Sequence, residues 1–167
     1  MQIPPRKDVT IMPDMLVKLY ELPGLPPFIT RVCEQGVSIK RVLMPEMDTV
    51  VDFVRKQFGD GWAAECRGCF ANRPVSVFVA YRGKEILGFA CYDTTCRNFF
   101  GPTGVVEEAR SGGIGAALLL SCLHDMAAIG YAYAIIGGVG PAAYYEKVCG
   151  AQIIEGSDPG IYRDLLV

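Results

Sequence analysis

Apolar and polar residues alternate along several short stretches of the chain, which is the spacing of a β-strand with one buried face. Residues 37–43 and 75–81 carry this pattern. The sequence Arg-Gly-Lys at residues 82–84 predicts a hairpin turn into a strand over residues 85–92, and a further strand is predicted at residues 98–107. A continuous apolar run at residues 131–138 is typical of a buried parallel strand.

Other stretches repeat their apolar residues at helical spacing. Helices are predicted from Pro45 to the Gly-Asp-Gly at residues 59–61, over residues 62–71, after the glycines at residues 112–115, and after Pro141. In the third of these helices, the residues expected to face inward are Leu118, Leu119, Cys122, Met126 and Ile129. The residues expected to form its polar stripe are Ser121, His124, Asp125 and Ala128.

The two ends of the chain have different patterns. Six prolines punctuate residues 1–30, so this segment is predicted to be an arm or cap with at most one short helix, around residues 14–20. Strands are predicted at residues 151–155 and 161–166, around a turn at residues 157–160. Residues 31–167 are predicted to form a single α/β domain, in which a central mixed sheet is flanked by helices.

Composition narrows the functional classes. A length of 167 residues with 51% hydrophobic content suits one sizeable core, and a net charge of −2 argues against nucleic acid as a partner. Seven cysteines, an odd number, and the absence of an apolar stretch in residues 1–8 predict a reducing, cytoplasmic location. Glycines interrupt the uncharged run at residues 126–145, so no membrane span is predicted.

A glycine-rich segment lies between a predicted strand and a long apolar helix. Gly112, Gly113 and Gly115 remove Cβ atoms where the backbone would approach a ligand, and the first turn of the helix offers unpaired N–H groups. Arg110 lies at the start of this segment. Such a strand, turn and helix N-terminus form a candidate phosphate site.

The spacing Arg110-x-x-Gly113-x-Gly115 resembles the pyrophosphate-binding signature of the GNAT superfamily of N-acetyltransferases. Val105 also precedes the arginine by five residues, as in that family, whereas Ser111 stands where many members have glycine. A second segment, residues 140–151, resembles the later helix of the family, which carries an aromatic-tyrosine pair followed by glycine and a strand. Gly138 departs from the asparagine that many members have.

The resemblance implies a GNAT-like acyl-CoA N-acyltransferase fold, in which the strands before and after the glycine-loop helix splay apart. Acetyl-CoA would lie in this gap, with its pantetheine bonded to the backbone near Val105 and Val106. The residues implied to hold this co-substrate are Val105, Val106, Arg110, Ser111, Gly112, Gly113, Ile114, Gly115 and Ala116. Tyr145 aligns with the family tyrosine that protonates the departing thiolate, so transfer of an acetyl group to a primary amine by direct attack is expected. Dimers are common in the family, so a homodimer is a further expectation.

The sequence identifies the general base less clearly than it identifies the general acid, Tyr145. Glu65 and Asp93 are the candidates, acting as a base through water or as partners of a cationic acceptor, while Glu107 and Glu108 belong to the approach to the loop. His124 is expected to be structural. The acceptor is left open between a small-molecule amine and a protein amine, and no metal is expected.

Three other interpretations compete with this one. Cys66-x-x-Cys69 with Cys91 and Cys96 resembles a four-cysteine zinc set, although the second pair is spaced too widely for a zinc knuckle. Residues 138–143 read G-x-G-x-x-A, a dinucleotide-binding pattern, but too little chain follows to complete such a fold. The third alternative is a non-catalytic GNAT-like module that binds coenzyme A or an effector.

Overall fold

The structure is a computed structural model that describes residues 12–167. These residues are organised around a central β-sheet. Within these residues the strands are β1 Met15–Lys18, β2 Ser38–Arg41, β3 Val77–Arg82, β4 Glu85–Tyr92, β5 Phe99–Val105, β6 Tyr133–Ile136 and β7 Gln152–Ile153. The α-helices are α1 Pro26–Cys33, α2 Met47–Phe58, α3 Asp60–Gly68, α4 Ile114–Ala128 and α5 Ala142–Cys149. The predicted mixed sheet flanked by helices is therefore confirmed.

The sheet has the strand order β2-β3-β4-β5-β6-β1-β7. Only the pair β5 and β6 is parallel, and the other neighbouring strands of the described sheet run antiparallel. The predicted hairpin between β3 and β4 is confirmed, with Arg82 paired to Glu85 across the turn. The long connection from β5 through α4 to β6 makes the single parallel crossover.

Two apolar cores stabilise the fold. One core joins α4 to the sheet through residues such as Leu118, Leu123 and Met126, and Val32 of α1 contributes to it. The other joins α2 and α3 to the sheet through Val54, Cys66 and their neighbours on β3 and β4. Burial of apolar surface on this scale is the main favourable contribution to folding.

Helix α4 is buried on more than one face, which corrects part of its predicted pattern. Leu118, Leu119, Cys122 and Met126 are buried as expected, but Ile129 lies just beyond the helix and is 46% exposed. The expected polar stripe is wrong at Ser121, which is buried and donates its hydroxyl to the Ala117 carbonyl, whereas His124 and Asp125 are half-buried and Ala128 is exposed. An α-helix that is apolar nearly all round belongs in the interior of a protein.

Two predictions at the ends of the chain are wrong in the described residues. The segment expected to hold a short helix instead contains strand β1, which lies between β6 and β7, followed by a 3₁₀ turn at Leu19–Glu21. The strand expected at residues 161–166 is absent from the structure, where Gly160–Tyr162 forms a 3₁₀ turn. Residues 1–11 of the predicted arm lie outside the described residues, and the division of the chain at residue 30 stays a prediction.

A half-buried polar cluster connects helix α4 to two strands. The Asp125 carboxylate accepts a hydrogen bond from Arg41 Nη2 at 2.6 Å and another from the Tyr92 hydroxyl. Arg41 Nη1 also donates to the Val75 carbonyl at 2.6 Å. The pKa of Tyr92 is raised, first by its burial and then by its hydrogen bond to Asp125. The cluster therefore holds the end of β2 and the end of β4 against α4.

Candidate active site

Strands β5 and β6 diverge after a short stretch of pairing. Only Phe99 and Phe100 of β5 are in register with Ile135 and Ile136 of β6. Strand β5 continues to Val105, whereas β6 ends at Ile136. The expected splay between these strands is therefore confirmed, and it leaves one edge of β5 open.

A cavity of about 650 Å³ lies at this divergence. It is lined by residues from β5, from the segment after β6, from α3 and α5, and from the last turn of the chain. Two of the predicted catalytic residues, Tyr145 and Glu65, are brought together in its walls. Its volume lies in the range of small-molecule binding sites.

Tyr145 reaches the cavity from helix α5. Pro141 precedes this helix and Gly150, with φ of 67°, ends it, so the local sequence limits the helix to Ala142–Cys149. The rings of Tyr144 and Tyr145 pack edge to face, with centroids 5.1 Å apart. Burial raises the pKa of Tyr145 above its ordinary value of 10. The hydroxyl therefore keeps its proton at neutral pH.

Glu65 reaches the opposite wall from helix α3. Its carboxylate accepts a hydrogen bond from the Thr95 hydroxyl, and its backbone carbonyl accepts one from Thr94 Oγ1 at 2.6 Å. Trp62 lies one helical turn earlier, is 40% exposed and packs near Phe58 at a ring distance of 5.7 Å. These contacts hold an acid and an aromatic ring side by side in the cavity wall.

Asp93 occupies a different position from the other two predicted catalytic residues. It is not among the residues that line the cavity. Its Oδ1 accepts a hydrogen bond from the Asn98 backbone N–H at 2.7 Å, and its Oδ2 accepts one from the Tyr131 hydroxyl at 2.8 Å. With φ of 54°, Asp93 instead holds the turn between β4 and β5.

The predicted co-substrate residues form a continuous turn from β5 into α4. Glu107–Ala109 makes one 3₁₀ turn, and Gly113 precedes the helix with φ of 91°. Ser111 has φ of 72°, a conformation that glycine adopts with less strain, which accounts for the glycine that the GNAT pattern often has there. Ile114, Gly115 and Ala116 form the first turn of α4, where N–H groups lack partners within the helix.

The backbone groups at the end of β5 point in two directions. The Val106 N–H donates to the Leu87 carbonyl at 2.9 Å, so this group is committed to strand β4. Because antiparallel pairing alternates, the N–H and C=O of Val105 face the open edge instead. The Val105 carbonyl accepts a hydrogen bond from Arg110 Nε at 3.1 Å. Of the two valines, only Val105 therefore has its backbone groups toward the gap.

One residue of helix α1 and one residue just after it approach the glycine turn, and sequence reasoning missed both. Gln35, just after α1, donates through Nε2 to the Gly112 carbonyl at 2.8 Å. Arg31 Nε lies 3.1 Å from the position that a Cβ on Gly113 would occupy. Arg31 is exposed and carries a positive charge at the candidate phosphate site. No spacing rule connects residues 31–35 with residues 112–113, because only the tertiary fold brings them together.

Several solved structures are similar in fold to this chain. A GCN5-related glucosamine N-acetyltransferase region of a fungal multi-domain GH3 beta-N-acetylglucosaminidase matches with a TM-score of 0.74 and 13% identity, over 89% of this chain and 20% of that one. GCN5-related N-acetyltransferases from Sphaerobacter thermophilus and Kribbella flavida match with TM-scores of 0.66 and 0.60, at 16% and 15% identity. Each covers 87% of this chain, and 50% and 55% of the other chain, respectively.

The chain has the GCN5-related N-acetyltransferase fold. It spans between about a fifth and just over half of the length of these three structures. No protein-family model matches the sequence, and no curated protein matches it. The likeness in fold agrees with the GNAT resemblance that the glycine turn and helix α5 suggested from sequence.

The GNAT fold removes the dinucleotide-binding interpretation. The described sheet has one parallel pair only, whereas a dinucleotide-binding domain needs several adjacent parallel strands. Gly138, with φ of 56°, donates its backbone N–H to Asp14 Oδ1 at 2.8 Å. The G-x-G-x-x-A segment is thus tied to strand β1 at its first glycine.

Three of the four cysteines of the zinc alternative lie in one apolar core, and the fourth lies apart from them. Cys66, Cys69 and Cys91 are fully buried in the core beneath α2 and α3, while Cys96 is exposed. Burial raises the pKa of Cys91, and a hydrogen bond with Cys91 lowers that of Cys69. Residues 12–167 contain no group of three or more His, Cys, Asp or Glu side chains arranged to hold a metal ion.

The remaining predictions concern a structural histidine and the membrane. His124 is half-buried, and its Nε2 lies 2.9 Å from the Pro23 carbonyl oxygen, which is a structural contact. Among the described helices, none has both the length and the apolar character needed to cross a bilayer.

Proposed function

We propose that this chain is an N-acetyltransferase that moves the acetyl group of acetyl-CoA to a primary amine by direct attack. The observation that carries the proposal is the cavity at the divergence of β5 and β6, which has Tyr145 and Glu65 in its walls together with residues of β5, the strand that leads into the glycine turn. When bound, acetyl-CoA supplies an acetyl group already activated as a thioester.

The glycine turn fits the phosphates of this co-substrate. Gly112 and Gly113 have no side chains where Gln35 and Arg31 close over the turn, and a Cβ on Gly115 would lie 3.1 Å from the Tyr144 hydroxyl. The N-terminus of α4, together with the guanidinium groups of Arg31 and Arg110, favours an anion there. The residues from Arg110 to Ala116 would hold the pyrophosphate, and the outward backbone of Val105 would hold the pantetheine arm.

Each catalytic side chain has a proton-transfer role in this proposal. Tyr145 donates the proton of its hydroxyl to the departing thiolate, and its raised pKa keeps that proton available at neutral pH. Glu65 accepts a proton from the incoming ammonium, directly or through water, since an amine must be neutral to attack. Asp93 has both carboxylate oxygens engaged in the β4–β5 turn, which leaves Glu65 as the better-placed base.

The alternative is a module that binds coenzyme A without turnover. Tyr145 and Glu65 in one cavity favour catalysis, because binding alone requires neither a proton donor nor a proton acceptor there. At 13% identity, the fungal glucosamine N-acetyltransferase region supports the fold of this chain and not the identity of its acceptor.

Binding of acetyl-CoA is the first experiment. Calorimetric titration of the purified chain with acetyl-CoA should be saturable, and NADH should give no heat of binding. Gly113→Asp should abolish binding by crowding and repelling the pyrophosphate, and Arg31→Ala should weaken it about tenfold through loss of a charge-assisted contact. Circular dichroism checks that both variants fold. Full affinity in a folded Gly113→Asp protein would refute the assignment of the glycine turn.

Turnover tests the role of Tyr145. Tyr145→Phe should lower kcat by about 10²-fold, the lower end of the contribution of a positioned acid, while the Kd for acetyl-CoA stays within about twofold. Tyr144→Phe is the matched control, because it removes the neighbouring hydroxyl from the same helix. Binding of acetyl-CoA with no release of free thiol for any amine would instead support the non-catalytic module.

A further inference from the structure

We propose that the acceptor is a cationic primary amine on a compact apolar or aromatic body, a class that excludes amino sugars and amino acids. This inference rests on the proposed N-acetyltransferase activity and specifies the occupant of the same cavity. It follows from three properties of the cavity walls: their charge, their apolar surface, and the engagement of their polar groups.

The charge of the cavity favours a cation. Glu65 and Asp158 contribute two carboxylates to its lining, and no lysine or arginine from the described part of the chain lines it. Low-dielectric walls of one charge sign concentrate ligands of the opposite sign. A primary amine is protonated at neutral pH, so it would be attracted, whereas a ligand carrying its own carboxylate would be repelled.

The body of the acceptor meets mainly apolar and aromatic surface. Trp62 and Tyr162 supply flat aromatic rings, while Phe100, Pro102 and Ile136 supply apolar surface from β5 and β6. Ammonium groups are attracted to aromatic faces, and apolar groups gain free energy when these walls remove them from water. Both contributions fit an amine joined to a ring or a branched hydrocarbon.

Four polar side chains of the walls are hydrogen-bonded within the protein. Thr103 Oγ1 donates to the Phe89 carbonyl at 3.0 Å, and the Thr95 hydroxyl donates to Glu65. Asp158 Oδ1 accepts a hydrogen bond from the Met12 backbone N–H at 3.3 Å. A sugar would bury several hydroxyl groups against side chains that are engaged elsewhere, and an unpaired buried hydroxyl is costly. The walls therefore disfavour a polyhydroxylated amine.

The single tryptophan of the chain gives a direct binding signal. Trp62 is the only tryptophan in the sequence and it lines the cavity, so its fluorescence reports occupancy without any need for turnover. We would titrate the protein, saturated with coenzyme A, with 2-phenylethylamine, ethylamine, glucosamine and phenylalanine. The Kd for 2-phenylethylamine should lie about tenfold or more below those of the other three, the scale on which a pocket discriminates by shape and charge.

Charge-removing variants identify the wall that recognises the ammonium group. Glu65→Gln and Asp158→Asn should each raise the Kd for 2-phenylethylamine about fivefold or more, as expected when one partner of a charge-assisted contact is neutralised. Glu155→Gln is the matched control, because Glu155 is exposed and does not line the cavity. Equal affinities across the four ligands, or an unchanged Kd in both lining variants, would overturn the inference.

Acetyl transfer is measured separately, so the two proposals fail in different ways. Tight binding of 2-phenylethylamine without release of free thiol from acetyl-CoA would retain this binding class and refute the N-acetyltransferase activity. Release of thiol with glucosamine or phenylalanine at higher kcat/KM than with 2-phenylethylamine would retain the activity and overturn the acceptor class.

Discussion

Gly137 follows strand β6 directly, and two aromatic side chains fill the space beside it. A Cβ at residue 137 would overlap the Tyr162 hydroxyl and would lie 3.0 Å from Phe99 Cδ2. The φ angle of Gly137 is not in the left-handed region, so its backbone would accept other residues. The close approach of Tyr162, which lines the cavity, therefore favours glycine there.

Gly137→Ala should lower the free energy of unfolding by about 1–3 kcal/mol, the usual cost of overpacking. Urea denaturation measures it. Gly140→Ala is the matched control, because nothing lies within 4 Å of a Cβ there and its φ is not positive. In a Tyr162→Ala background the cost of Gly137→Ala should largely disappear. An equal cost with and without the Tyr162 ring would show that the close approach is not the cause.

At the scale of the elements, Asp125 connects α4 to the ends of β2 and β4. Its carboxylate is the shared acceptor for Arg41 and Tyr92, and the side chains of Arg41 and Asp125 are 28% and 17% exposed. Removing the acceptor would leave the buried Tyr92 and the half-buried Arg41 without this partner, and this costs more than the hydrogen bonds themselves contribute.

Asp125→Ala should lower the free energy of unfolding by about 1–3 kcal/mol. The control is Asp52→Ala, which removes an exposed partner of Arg55 on α2 and should cost less than about 1 kcal/mol. Both values come from urea denaturation. If the two variants lost similar stability, the cluster would have no more effect than a surface ion pair.

The elements that could be predicted from sequence are those whose pattern is local. Helices α2 and α4 and the β3–β4 hairpin were predicted because their own residues carry the period and the turn. Strand β1 was missed because it has only four residues between prolines, and its partners come from residues 133–153. The strand predicted at residues 161–166 is absent, because Gly160–Tyr162 forms a 3₁₀ turn and Asp164 has a φ of 62°.

The residues of the candidate site also divide into those that a local motif predicts and those that only the tertiary fold brings together. The glycine turn and Tyr145 were found because each lies in a contiguous motif, and Glu65 was placed near the pocket from its helix. Arg31, Gln35 and Tyr162 were missed because each approaches the site through a contact between residues distant in sequence. Asp93 looked equivalent to Glu65 in sequence, and only its hydrogen bonds to Asn98 and Tyr131 distinguish it.

At the scale of the whole molecule, several hydroxyl and thiol groups resist ionisation. Burial raises the pKa of Tyr144 and of Tyr162 from 10 to about 12, and that of Cys149 from 9 to about 11. Below pH 9 these groups are neutral in both folded and unfolded chains, so their stabilising effect is complete. Above pH 9 these groups lose their protons in the unfolded chain first, so the free energy of unfolding falls until the same groups ionise in the folded chain.

The free energy of unfolding should therefore fall steadily between pH 9 and about pH 12, as measured by urea denaturation at fixed ionic strength. Tyr162→Phe should make this fall shallower, because phenylalanine cannot ionise. A pH profile of Tyr162→Phe identical to that of the unaltered protein would contradict this account.

The two-residue pairing of β5 with β6 divides the sheet into two blocks with different folding requirements. Strands β2 to β5 follow one another along the chain and pair with their sequence neighbours, so this block needs few distant contacts. The block β6-β1-β7 requires residues 15–18 to find residues 133–153. Contacts between such distant segments form slowly.

On the ribosome, we expect the first block to form early, while β1 remains unpaired until strands more than a hundred residues later in the chain are synthesised. The cavity between β5 and β6 is thus completed only when the second block joins the first.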